Sequence, residues 1–275
     1  MTVRVGAVSY LNARPLSHHL NRWPDRFSLR YDEPSRCATL LHEGAIDFGL
    51  IPSIEYSNGD YRIVPGIGVI SDGPVASVAL FTKVPVARVR SVALDTSSRT
   101  STALMRVLCD RHFHITPAFL PHGPDLPAML QRCDAALLIG DRALFADPGA
   151  LGVEKVDLGT EWLTMTGLPF VYAFWAGVPG VLSQGDVACL QEARDAGARE
   201  VDGIVASLFP AEPEKQAIGS RYLRENIRFD LGQRKQQGFE LFARLAAGAG
   251  AAPAPRPVAF YEGPPGGAAI LETTP

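Results

Sequence analysis

The chain has 275 residues, enough for one large domain or two lobes that each bury a core. Its composition, 47% hydrophobic and 20% charged, is that of a globular protein and excludes a disordered chain. A formal net charge of -3 with no polybasic run excludes the electrostatic footprint of a nucleic-acid binder or of a protein drawn to an anionic membrane.

The opening MTVRVGAVSYLNARPL lacks the apolar core and small-residue cleavage site of a secretory signal. Within it VRVGAVSY reads as a strand, and LNARPLSHHL as a loop passing into a helix. SRCATLLHEG follows as a helix stopped by Gly44, and IDFGLIPSIEY as a buried strand running into a loop. VASVALFTK is a further strand. From Ser91 a second series runs strand SVALD, helix TSTALMRVLCDRH, strand ITPAFL, helix DLPAMLQR, strand AALLIG and helix DRALFA. FVYAFWA is a strand that returns to the first set, completed by helices near 187–207, 219–226 and 237–246. No apolar run is long enough to span a bilayer. Cys37, Cys109, Cys133 and Cys189 are scattered without a CxxC pair and read as reduced thiols, so a cytoplasmic location is expected.

Strands that alternate with helices imply a mainly parallel α/β architecture covered on both faces. The expected division is a discontinuous first lobe, 1–86 with 168–247, and a second lobe, 87–167, with the chain crossing near 82–90 and 164–169. Residues 248–275, rich in Ala, Pro and Gly, are expected to be a flexible, dispensable tail.

Ligands of open α/β sheets bind at the carboxyl ends of the strands. Those ends carry Ser9, Tyr10, Leu11 and Asn12; Pro52 and Ser53; Ser97, Ser98, Arg99, Thr100 and Ser101; and Gly140 with Asp141. Hydroxyls and amides thus face one another across a cleft between lobes. A helix starting at Ser97–Ser101 adds unpaired N–H groups and a positive dipole end suited to a carboxylate or phosphate. Taken alone, this turn is an ordinary N-cap, and Asn12 an ordinary turn former; the alignment of four polar strand ends favours a ligand site. Ser77 interrupts an apolar run, so its buried hydroxyl needs a partner, and Glu55 is a minor carboxylate candidate. GxSxG, Walker-type and GxGxxG patterns are absent, and His112, His114 and His122 lack the carboxylate pattern of a metal site, so no metal is expected.

The segments GAVSYLNARPL, EGAIDFGLIPSIEY, SDGPVASVALF, LDTSSRTSTALMRVL, DAALLIGDRAL and TEWLTMTGLPFVYAFW, in that order from about Arg4 to about Phe242, closely resemble the chorismate dehydratase family of the futalosine route to menaquinone. The resemblance implies a two-lobed fold like that of type II periplasmic solute-binding proteins, with two crossover strands. It implies a cofactor-free hydro-lyase reaction on the small molecule chorismate, which loses water to give 3-[(1-carboxyvinyl)oxy]benzoate. It further implies that Asn12 and Ser77, at the family's SYLN-type and GPVxS-type positions, are catalytic. Tyr10, Ser53, Ser97, Arg99, Thr100, Ser101, Gly140 and Asp141 would then hold the substrate. The rival readings are a non-catalytic carboxylate-binding protein of the same fold, the effector lobe of a regulator, and the sister naphthoate-forming enzyme acting on a cyclised futalosine derivative.

Overall fold

A computed structural model describes residues 2–263. The first lobe begins with β1 (Val3–Val8), α1 (Arg14–Ser17), β2 (Phe27–Asp32), α2 (Pro34–His42), β3 (Phe48–Pro52), β4 (Arg62–Ile63) and β5 (Val69–Ser71). The second contains β6 (Val78–Thr82), β7 (Ser91–Asp95), α3 (Arg99–Leu108), β8 (Ala118–His122), α4 (Leu126–Arg132), β9 (Ala135–Ile139), α5 (Gly140–Leu144), β10 (Glu154–Asp157) and α6 (Leu158–Thr166). The chain returns through β11 (Phe170–Gly177), followed by α7 (Gln184–Arg199), α8 (Val201–Leu208), α9 (Pro213–Glu225) and α10 (Gln233–Gly248).

The first sheet runs β2-β1-β3-β11-β4, with β5 also on β11, and the second runs β10-β6-β9-β7-β8. The sheets are mixed rather than mainly parallel. β1 lies parallel to β2 and β3, and β7 to β8 and β9, whereas β6 and β11 are antiparallel to their neighbours. The reason is topological. A strand arriving from the other lobe starts at the cleft, where the parallel strands end, and so must run back against them. β3, β6 and β9 are buried along their whole length, which is why they read as uninterrupted apolar runs.

Residues 78–86, expected in the first lobe, stand in the second: Val78 pairs with Ile139, and Thr82 with both Ala135 and Glu154. The outward crossing is therefore at 72–77, and the return lies at 167–169. The strand read from Val75 also begins later, because Ala76 adopts a left-handed conformation at φ 59. At the return crossing Trp162 of α6 meets the edges of Phe170 and Phe242 at 5.1 and 5.9 Å, and Trp175 stacks on Phe48 at 5.1 Å. All five rings are fully buried, each worth roughly 1.5–3 kcal/mol of transfer free energy or more.

The expectation of a free tail from 248 is corrected as far as 263. Ile63 donates its N–H to Ala259 and its carbonyl accepts from Tyr261, which lays the segment along the edge of β4. Tyr261 is itself buried and donates its hydroxyl to Val178 O at 2.6 Å. A few aromatic anchors suffice to order a segment whose average composition is that of a linker. The remainder of the expected tail, 264–275, lies outside the described residues.

Candidate active site

The cleft between the sheets is built from their carboxyl edges. Beyond β1 the chain turns sharply through a short 3-10 segment at Leu11–Ala13, which brings Tyr10 and Asn12 to the cleft wall. Opposite stand Ser98 and Ser101 at the start of α3, with Gly140 at the start of α5. Pro52, Val69, Val78, Ile139 and Tyr172 supply the apolar floor. Among the described residues, none of those lining the cleft is an Asp, Glu, His, Lys or Arg. The space open to water is about 40 Å³, so a ligand with a six-membered ring enters only if the lobes part.

Hydrogen bonds close the two walls on each other. Tyr10 donates its hydroxyl to Ser97 Oγ at 3.0 Å, and the Leu11 N–H donates to Asp141 Oδ1 at 2.9 Å. Ile54 N–H donates to Thr100 Oγ1 at 3.3 Å, and Ser35 N–H to the Ser97 carbonyl at 3.1 Å. Gly140 has φ 64, and a Cβ there would come within 3.0 Å of the Tyr10 ring. Only glycine therefore lets the two walls approach this closely. Burial pushes the Tyr10 phenol up to about 12, so it stays a neutral donor.

The predicted site residues divide by what their side chains touch. Tyr10, Asn12, Ser101 and Gly140 line the cleft. Ser97 donates both N–H and Oγ–H to Asp95 Oδ1, at 2.9 and 2.6 Å, and holds the turn before α3. Ser98 caps α3, accepting from Ser101 N–H at 3.2 Å. Thr100 joins the lobes, and Asp141 anchors Leu11 as a capping carboxylate. Burial pushes the Asp141 carboxyl up, against the Leu11 N–H.

Two expected binding residues face away from the cleft. Ser53 donates to Val171 O at 2.7 Å and is wholly buried, tying the end of β3 to β11. Arg99 reaches back to the first lobe, where it donates to Glu55 Oε2 at 3.0 Å and Thr39 Oγ1 at 2.8 Å. Ser97, Ser98, Thr100 and Ser101 of the same turn are buried, but helical geometry turns the first residue of α3 outward. Glu55 is buried and also accepts from Asn58 at 3.0 Å and bonds His42 Nε2 at 2.7 Å.

Ser77 sits at the outward crossing, 1% exposed, immediately before the lining residue Val78. Its Oγ is 2.6 Å from the hydroxyl of Tyr222 on α9. Asp157 shapes the crossing itself. It accepts from Val75 N–H at 3.0 Å and Ala76 N–H at 2.6 Å, while also capping α6 through Gly159 and Thr160, both at 3.0 Å. Sequence reasoning missed both residues. Asp157 carries a signal, an aspartate followed by Leu-Gly-Thr at a helix start; Tyr222 carries none, being one aromatic in a largely polar helix.

The histidines weighed for metal binding are dispersed: His112 Nε2 bonds Glu161 at 2.7 Å, and His122 Nδ1 bonds the Gly123 carbonyl at 2.6 Å. Among the described residues, the grouping with metal-ligand spacing is His18, His19 and Glu200, whose ligand atoms lie within 4.8 Å of one another. None of the three lines the cleft.

Residues 3–248 match the family model described as menaquinone biosynthesis. The chain belongs to that family. The chorismate dehydratase of Thermus thermophilus is 31% identical over 264 residues, covering 87% of this chain and 93% of that protein. The chorismate dehydratase of Campylobacter jejuni is 29% identical over 177 residues, or 61% of this chain and 64% of its own length. Among solved structures, a protein of Archaeoglobus fulgidus superposes with a TM-score of 0.67 at 14% identity, over 90% of this chain and 98% of that one. The alkanesulfonate-binding protein SsuA of Xanthomonas axonopodis pv. citri gives 0.66 at 16% identity, over 93% and 94%. At such identities the structural likeness speaks for the fold alone. The family member therefore has a periplasmic-binding-protein-like fold, with its two lobes facing across the cleft described above.

Proposed function

We propose that this family member is a chorismate dehydratase, releasing water from chorismate to give 3-[(1-carboxyvinyl)oxy]benzoate. The observation that carries the reading is a cleft with neutral donors on both walls, Tyr10 and Asn12 on one and Ser98 and Ser101 at the start of α3 on the other, in a chain whose 31% identical relative bears that activity. Chorismate is a dianion, and the first backbone N–H groups of α3, with Ser98 and Ser101, suit one of its carboxylates.

The reaction removes the C3 hydrogen and the C4 hydroxyl. It makes the ring aromatic, so product stability supplies driving force and the protein is left to orient the substrate and stabilise developing charge. Asn12 is at the wall where it meets the reacting face. Ser77, held by Tyr222, orients the departing hydroxyl. The carboxylates nearest the cleft, the buried Asp95 and the half-buried Asp141 and Asp157, all accept backbone N–H groups and serve as scaffold. The four free cysteines agree with a reducing cytoplasmic location.

Purified protein incubated with chorismate, without metal or nucleotide, is expected to form a species one water lighter, seen by liquid chromatography with mass detection. Asn12→Ala and Ser77→Ala should each abolish most turnover. Tight binding without turnover in the wild type would instead make the protein a carboxylate binder.

A further inference from the structure

We infer that Tyr222 is a positioning residue that sets the direction of the Ser77 hydroxyl; this rests on the dehydratase reading. The phenol is 2% exposed, and its oxygen stands 2.6 Å from the Oγ of Ser77, the residue just before β6, although α9 lies far along the chain. Burial pushes its pKa up, and the charges of Asp141 and Asp157 push the same way, against the bond to Ser77. Tyr222 is therefore neutral and has one proton to give.

A single proton allows two arrangements. If Tyr222 donates to Ser77, the Ser77 proton is free to meet the leaving hydroxyl. If Ser77 donates to Tyr222, that proton is spent. Departure of a hydroxyl calls for a donor, which selects the first arrangement. The backbone holds Ser77 for this purpose, since its N–H is bonded to Val75 O at 2.7 Å and its carbonyl accepts from Gly140 at 2.8 Å, leaving only the side-chain rotor to be fixed.

The test is a double-mutant cycle in kcat with chorismate, using Tyr222→Phe, Ser77→Ala and the pair. Phenylalanine keeps the packed ring and removes only the hydroxyl. The expected result is a fall of about tenfold or more in kcat for Tyr222→Phe, KM within about threefold of wild type, and no further loss when Ser77 is already alanine. Additive losses, or a kcat within about twofold of wild type, would overturn the inference and make the phenol a packing group. Wild-type protein that releases no water from chorismate would remove the dehydratase reading, and this inference with it. Thermal unfolding of each variant separates a lost rotor from a lost fold.

Discussion

The carboxylate of Asp157 accepts the N–H of Ala76 at 2.6 Å and so holds a non-glycine residue at φ 59, one position before Ser77. A left-handed alanine costs about 1–2 kcal/mol, and buried N–H groups without an acceptor roughly 1–3 kcal/mol each. Asp157→Asn places an amide among four N–H donors, so its thermal midpoint should fall by several degrees and kcat by about tenfold or more. Ala76→Gly keeps the carboxylate and relieves the backbone; it should be neutral or stabilising by about 1 kcal/mol. Unfolding curves and steady-state kinetics on the two variants check this. A destabilised Ala76→Gly would mean that the turn is not strained.

Among the described residues, none lining the cleft is a histidine or a carboxylic acid. Its lining tyrosines are kept protonated by burial, Tyr10 up to about 12 and Tyr172 well above its ordinary value. Dehydration should therefore vary by less than about threefold in kcat between roughly pH 6 and 9. An inflection near the ordinary histidine value would place an unsuspected imidazole in the rate-limiting step.

Asp141 spends its carboxylate on the Leu11 N–H across the lobes, with its pKa raised by burial. A raised carboxyl contributes stability below its ordinary value near 3.8 and loses it as pH rises through the folded value. Asp141→Asn retains an acceptor oxygen without the charge. It should match or exceed wild-type stability at pH 7 and lose that advantage as pH falls below the ordinary aspartate range. Asp141→Ala, with no acceptor, should be destabilised at both; melting curves at two pH values decide.

Glu55 is opposite in sign. Burial pushes its carboxyl up, but bonds from His42 and Asn58 and the charge of Arg99 more than reverse this, so it titrates below its ordinary value. Its stabilisation is present above the ordinary value of 4.5 and is lost as pH falls through the depressed one. Arg99→Met should cost about 1–2 kcal/mol, less than the ~3–5 of a fully buried pair, because Arg99 is half-exposed and two partners remain. Since Arg99 faces away from the cleft, kcat should fall far less than in Asn12→Ala. A comparable collapse of kcat with stability intact would return Arg99 to the substrate.

Ending the chain after Gly250 removes Tyr261 and the strand-like bonds to Ile63. The loss should be about 3 kcal/mol or more, read as a lower thermal midpoint. An unchanged midpoint would restore the idea of a dispensable tail.

Much of this fold is legible in the residues. Apolar runs such as Ala135–Ile139 and Phe170–Gly177 mark buried strands, and the hydroxyl-rich turn at Thr96–Ser101 marks the cap of α3. β2 and β10 escape notice because FSLRYD and EKVD are edge strands with exposed, charged faces. The single helix read over 187–207 breaks at Glu200, where no proline or glycine announces the turn. Within the site, which strand ends meet is readable from topology. Which way a side chain turns is not, as Arg99 and Ser53 demonstrate: both lie at strand ends, and both are consumed by partners far along the chain. Tyr222 is the extreme case, since only tertiary packing carries α9 to Ser77.

The position of Ser77 at the outward crossing bears on how opening and chemistry divide their labour. In a hinge rotation about the two crossings, points near the axis travel least and the far wall travels most. Ser77 and its partner Tyr222 lie beside that axis, tied to it by the Asn226 side chain, which donates to Pro74 O at 2.9 Å. The start of α3 lies on the swinging side. Parting the lobes would then carry off the wall proposed to hold the anion while the pair proposed to orient the proton stays assembled, so that on this reading closure governs capture and release of the dianion and leaves the pair in standing readiness.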